Sequence, residues 1–143
     1  MKRLKLIVNT TVLVSALLSR DSVSYYVLLQ LDHEYYTPRY VFEELLEHVD
    51  LIFEKSRLSG VDILRRLLEL LVKVKIIEEK DVRENLKKGY KIIGQRDIDD
   101  TPFVAAMLAI NADGILSYDK DFELIRKHGY EWLTPTMLLK RST

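Results

Sequence analysis

The sequence predicts a three-layer α/β/α fold around a central parallel sheet of about five strands. Three observations carry this expectation. Short runs rich in Val, Ile and Tyr alternate with helical patterns along most of the chain. The run at residues 4–8 and the pair Ile115 and Leu116 are apolar without alternation, as in strands buried on both faces. No repeat, low-complexity stretch or linker interrupts the alternation, so one domain is expected over residues 1–143.

Residues 4–8 read as the first strand, leading through Asn9, Thr10 and Thr11 into a helix with Val12, Leu13, Ala16 and Leu17 at helical spacing. Ser22 is placed to cap a second helix with apolar faces from Tyr25, Tyr26, Leu28 and Leu29. Tyr35 and Tyr36 form a short second strand. Thr37 and Pro38 open a helix, since proline suits a first turn, and Val41, Leu45, Leu46 and Val49 point inward as it runs to about Lys55. Ser59 and Gly60 break the pattern. Residues 61–71 are helical, with Leu64, Leu67, Leu68 and Leu71 on one side. Residues 72–77 alternate Val and Ile with Lys, as a strand does. Residues 78–88 form a charged helix ended by Gly89. An acidic turn at 97–100 precedes a small-residue helix at 101–110. A strand at 114–117, a helix at 119–127 stopped by His128 and Gly129, a strand at 131–133 and a helix from Pro135 complete the chain. The first strand is expected mid-sheet, beside 114–117.

Composition narrows the function classes. Of 143 residues, 48% are hydrophobic and 31% charged, which is globular rather than disordered. Lys plus Arg and Asp plus Glu both number 22. A balanced charge argues against non-specific nucleic-acid packaging but allows an acidic site beside a local basic patch. The absence of cysteine excludes disulfides, thiolate metal sites and a cysteine nucleophile. The apolar stretch at 4–18 is interrupted by Lys5, Asn9, Thr10, Thr11 and Ser15, too short and too polar to span a bilayer, and it lacks the small-residue cleavage site and polar mature start of a signal peptide. A soluble cytoplasmic protein is expected.

Ligands of open α/β sheets gather beyond the carboxyl ends of the strands. The polar residues there are Asn9, Thr10 and Thr11 after the first strand and Tyr118, Asp119 and Asp121 after the fourth. Asp97, Asp99 and Asp100 precede the small-residue helix, and Glu43 and Glu44 sit in the helix after the second strand. Carboxylates converging at one sheet edge suit Mg²⁺ or Mn²⁺, hard cations that prefer oxygen ligands. Two such ions activate water and stabilise the leaving oxygen of a phosphodiester. Each residue also has an ordinary explanation. Asp99, Asp100 and Asp119 suit helix caps, Glu43 and Glu44 suit solvated helix surface, and Asn9 suits a strand-end turn. The three histidines are scattered, and no Gly-rich phosphate loop, nucleophile elbow or zinc-protease motif occurs.

Taken together, four segments resemble the PIN domain family. Residues 7–17, Ile-Val-Asn-Thr-Thr-Val-Leu-Val-Ser-Ala-Leu, resemble its opening strand, turn and apolar helix. The stretch from Pro38 through Val41 to Glu44, Leu45, Leu46, Glu47 and His48 resembles its second motif, a helix bearing one acid. Residues 97–106 and 112–122 resemble the third and fourth, and together the four cover nearly the whole chain. The resemblance implies a Mg²⁺- or Mn²⁺-dependent ribonuclease, a hydrolase of RNA phosphodiesters. It places Asn9, Glu44, Asp100 and Asp119 as metal-binding and catalytic residues. Asp121 is an accessory metal ligand, and Glu43 and Asp99 are the alternatives one register away. Many members are toxins of the VapC type held by a small antitoxin, and dimers are common, so an antitoxin partner and a homodimer are expected. Asn9 stands where the family carries its first aspartate. An amide oxygen can ligate a metal but brings no charge, so the site keeps three formal carboxylates in place of four and weaker metal affinity is expected. A PIN-like scaffold without catalysis, binding RNA or protein, is the alternative.

Overall fold

Five strands, β1 (Lys5–Val8), β2 (Glu34–Pro38), β3 (Val74–Ile77), β4 (Gly114–Leu116) and β5 (Glu131–Leu133), form one all-parallel sheet in the order β3-β2-β1-β4-β5. The computed structural model describes residues 2–143. β1 is central, as its unbroken apolar run requires. Leu6, Ile7 and Val8 are fully buried, and so are Ile115 and Leu116 of β4. Ile7 pairs with Tyr36 on one side and Ile115 on the other. The strand order reverses between β1 and β4. Their carboxyl ends, at Asn9 and Ser117, therefore flank the crevice in which such sheets bind ligands.

Nine α-helices are described: α1 (Thr10–Ala16), α2 (Val23–Gln30), α3 (Arg39–Glu47), α4 (Val49–Lys55), α5 (Gly60–Lys73), α6 (Glu79–Glu84), α7 (Leu86–Gly89), α8 (Thr101–Ala109) and α9 (Pro135–Arg141). They flank the sheet in a three-layer α/β/α arrangement. α2 packs on α1, α5 and α9, while α8 packs on β1, β2 and β4 and on α6 and α7. α8 is apolar on all sides, and Phe103, Val104, Ala105, Ala106 and Met107 are buried, as a helix between two layers must be. Ser22 caps α2 by accepting from Tyr25 N.

Several local expectations are corrected by packing. Thr37 and Pro38 belong to β2, and the helix starts at Arg39. The Thr37 hydroxyl donates to Val8 O at 2.8 Å, tying β2 to β1. The long helix to Lys55 breaks at His48 into α3 and α4, and Leu46 faces outward, 53% exposed. Val72 and Lys73 end α5, so β3 begins at Val74. α5 buries Ile63, Arg66, Leu67 and Leu70, leaving Leu64, Leu68 and Leu71 exposed. Gly89 does not stop a helix. It is helical itself, and the chain continues through a π-helical turn, Tyr90–Gly94. An added Cβ at Gly89 would lie 3.0 Å from Ala105 N, so the glycine lets α7 approach α8. The helix at 119–127 is a 3-10 segment, Lys120–His128, which does end at Gly129 with φ of +89°.

Candidate metal centre

Two short turns deliver carboxylates to the crevice. Beyond β4, the Ser117 hydroxyl accepts from Asp119 N at 2.9 Å, and Asp119 Oδ1 accepts from Asp121 N at 2.9 Å. Asp119 thus caps the 3-10 segment, as a carboxylate at a helix N-terminus should. Before α8, Asp97 Oδ1 accepts from Asp99 N at 2.9 Å and caps a single 3-10 turn, Ile98–Asp100. Residues three apart eclipse in 3-10 geometry, so Asp97 and Asp100 fall on one side and Asp99 on another. One oxygen each from Asp97, Asp100, Asp119 and Asp121 lies within 4.8 Å of the other three.

Capping does not account for Asp100. It occupies the N-cap position of α8 yet makes no side-chain cap bond there. It is 6% exposed, and its Oδ2 has no hydrogen-bond partner among the described residues. Burial pushes its pKa up to about 8, reinforced by the charges of Asp119, Asp97 and Asp121 and by a hydrogen bond with Asp119. A buried oxygen without a partner, facing three other carboxylates, is the chemistry a hard cation relieves. The four residues therefore fit Mg²⁺ or Mn²⁺.

The remaining sequence-predicted residues lie around this group. Asn9 is buried at the end of β1. Its N donates to Leu116 O at 3.0 Å, and its Oδ1 caps α1 by accepting from Thr11 N at 3.1 Å and Thr11 Oγ1 at 2.8 Å. Thr11 Oγ1 in turn accepts from Tyr118 N at 3.3 Å, next to Asp119. The turn reading of Asn9 thus has a structural basis, and the residue sits at the same strand-end corner as Asp119. Glu44 is exposed on α3 and outside the group of four. It lines an apolar cavity of about 380 Å³ with Thr10, His48, Leu51 and Ile52. Its charge and those of Asp100 and Asp99 raise the pKa of Tyr40, after the larger effect of burial. Glu43 lines a different cavity, with Arg39, Glu79 and Val82. Asp99 is exposed and outside the cluster.

Two residues at the cluster go beyond the set the family resemblance implies: Asp97, which the sequence offers only as part of the acidic turn, and Arg96, which it does not single out. Asp97 contributes a fourth carboxylate, and its spacing of three from Asp100 was the available signal. Arg96 donates from Nε to Asp121 Oδ1 at 3.1 Å, a pairing across 25 residues that no local pattern announces.

Fold and site together define an α/β/α protein with a four-carboxylate cluster at the switch point of its sheet. The family model for the PIN domain matches residues 7–138, nearly the whole chain, and the protein belongs to that family of nuclease domains. Comparison with curated proteins finds no match. Among the described residues, no helix is long and apolar enough to cross a membrane.

Proposed function

We propose that the protein is a Mg²⁺- or Mn²⁺-dependent endoribonuclease, with the whole chain acting as one PIN domain. The observation that carries this is the buried, unpartnered Asp100 oxygen among the carboxylates of Asp97, Asp119 and Asp121. Asp100, Asp119 and Asp121 hold the cation, joined by Asp97, with Asn9 at the adjoining strand end and Glu44 across Thr10. When bound, the cation supplies Lewis acidity and a more acidic water for attack on phosphorus. The protein's own part is electrostatic positioning. Asp119 and Asp97 are fixed by their backbone caps, so their carboxylates are preorganised. Asp121 is oriented by Arg96. In the metal-free protein burial and the neighbouring carboxylates favour the protonated form of Asp100, and a bound cation would favour the ionised form.

The second reading is a binding scaffold that has lost catalysis. Asn9 favours it, because its side-chain oxygen already serves two hydrogen bonds and carries no charge. Cleavage of labelled single-stranded RNA with Mn²⁺, by the parent and by Asp119→Asn, separates the two. Metal-dependent cleavage lost in the variant supports the nuclease. RNA retained uncut by both supports the scaffold.

The proposed setting is a cytoplasmic toxin–antitoxin pair, with the apolar cavity beside Glu44 as the footing for a protein inhibitor. A homodimer is proposed through α5. Val61, Leu64, Leu68 and Leu71 are exposed at the 3-4-3 spacing of an a/d seam, extended by Val72. The same stripe on a second copy is its own complement across a two-fold axis.

A further inference from the structure

We infer that an RNA strand leaves the acidic centre across a basic cavity formed by Arg96, Lys120, Arg126 and Lys127, which holds its phosphates. The inference rests on the ribonuclease reading and adds the path the substrate takes. Two cavities open by the carboxyl ends of the strands, and one of them shares a residue with the acidic centre. The one on the β1–α3 side is lined by Val14, Leu18, Leu45, Leu51 and Ile52 together with Glu44. It offers a phosphate mainly apolar surface, and its one negative charge, Glu44, is matched by Lys55. The one on the β4–β5 side, about 400 Å³, is lined by four cationic side chains and by Asp121 and Glu123. Asp121 belongs to both the acidic group and this cavity, so the two are continuous. A polyanion emerging from the centre meets no net attraction on one side and an excess of cationic side chains on the other.

The four cations are held in different ways. Arg96 is held against Asp121 at the boundary between the two zones. Lys120 and Lys127 are exposed and, among the described residues, have no ion-pair partner. A helix dipole favours Lys127 near the C-terminal end of the 3-10 segment but disfavours Lys120 at its first residue. Arg126 is anchored, with Nη2 donating to Trp132 O at 3.0 Å and its guanidinium 5.0 Å from the Trp132 ring centre. This cluster also answers how a chain of zero net charge holds a polyanion: the positive charge is local.

The test uses the full chain and a fluorescein-labelled single-stranded RNA, with and without Mg²⁺, titrated by anisotropy over a range of salt. The double variant Lys120→Glu/Lys127→Glu is expected to bind about tenfold or more weakly, with the salt slope smaller by about 0.7 for each phosphate no longer neutralised. Lys120→Gln/Lys127→Gln should show a smaller loss in the same direction, which guards against a folding defect in the reversal. Lys73→Glu, at the opposite edge of the sheet where β3 begins, should bind as the parent does. Unchanged affinity and slope in both double variants, equal weakening by Lys73→Glu, or no RNA binding by the parent overturns the inference. Cleavage measured in parallel separates it from the reading it rests on. A parent that cuts no RNA, with binding still lost in the double variants, removes the nuclease and keeps the basic path. A parent that cuts, with the double variants cutting at unchanged KM, removes the path and keeps the nuclease.

Discussion

Replacing Asp100 with Asn is expected to stabilise the metal-free protein at alkaline pH and to flatten its dependence on pH. The Asp100 pKa rises from 3.8 to about 8 on folding, first through burial and then through the charges around it. A carboxyl whose pKa is higher folded than unfolded binds its proton more tightly in the folded protein. Its contribution to stability is complete below about pH 4 and is lost as pH rises toward about 8. At about 1.4 kcal/mol per pKa unit, that interval has a ceiling of roughly 5–6 kcal/mol. Asp97, Asp119 and Asp121 are only half-buried, so water and counterions screen their repulsion and leave roughly 2–3 kcal/mol. The amide introduced by Asp100→Asn keeps the volume and can donate to Asp119, so the exchange leaves no new cavity. Urea denaturation of both proteins in EDTA, from about pH 4.5 to about pH 8.5, gives the difference directly. Parent stability should fall across the range relative to the variant, and Mn²⁺ should restore the parent but not the variant. Parallel pH curves, or a parent that gains stability relative to the variant as pH rises, would refute the argument.

Asn9→Asp keeps the α1 cap, since both side chains accept from the same donors. The added charge should lower the metal-free melting temperature slightly, enlarge the Mn²⁺ shift and raise RNA cleavage; equal shifts and no cleavage by either protein would point to the scaffold. Arg66→Ala should cost roughly 3 kcal/mol, because Arg66 donates to Ala16 O, Ser19 O and Arg20 O and lies over the Tyr25 ring. Denaturant titration should show that loss with the Mn²⁺ shift intact, and a change under about 1 kcal/mol would mean that water replaces the guanidinium. Leu68→Glu places a charge on the exposed α5 stripe and should turn a dimer into monomer in sedimentation at micromolar concentration. A parent that is already monomeric, or a variant that stays dimeric, counts against the α5 interface.

The layering of this protein was legible in its hydrophobic pattern. Unbroken apolar runs at β1 and β4 require burial on both faces, which puts those strands mid-sheet and their trailing polar residues at its active edge. Asp100, Asp119 and Asp121 were therefore legible as candidates, and the family pattern was readable in four separated segments. Boundaries and faces were less legible. The leucines of α5 recur at helical spacing on either side of the helix, and only packing against α2 decides that Ile63, Leu67 and Leu70 go inward. Gly89 reads as a stop in a linear pattern, and its real reason lies in the approach of α8. The three-dimensional arrangement also decided which carboxylates cluster. Asp97 joins because one 3-10 turn eclipses residues three apart, while Glu44 stands off on α3. The burial that raises the Asp100 pKa and the reach of Arg96 to Asp121 depend on atoms far apart in the chain. Periodicity records which side of an element is apolar. Desolvation and charge coupling depend on what lies opposite, and only the folded chain supplies that.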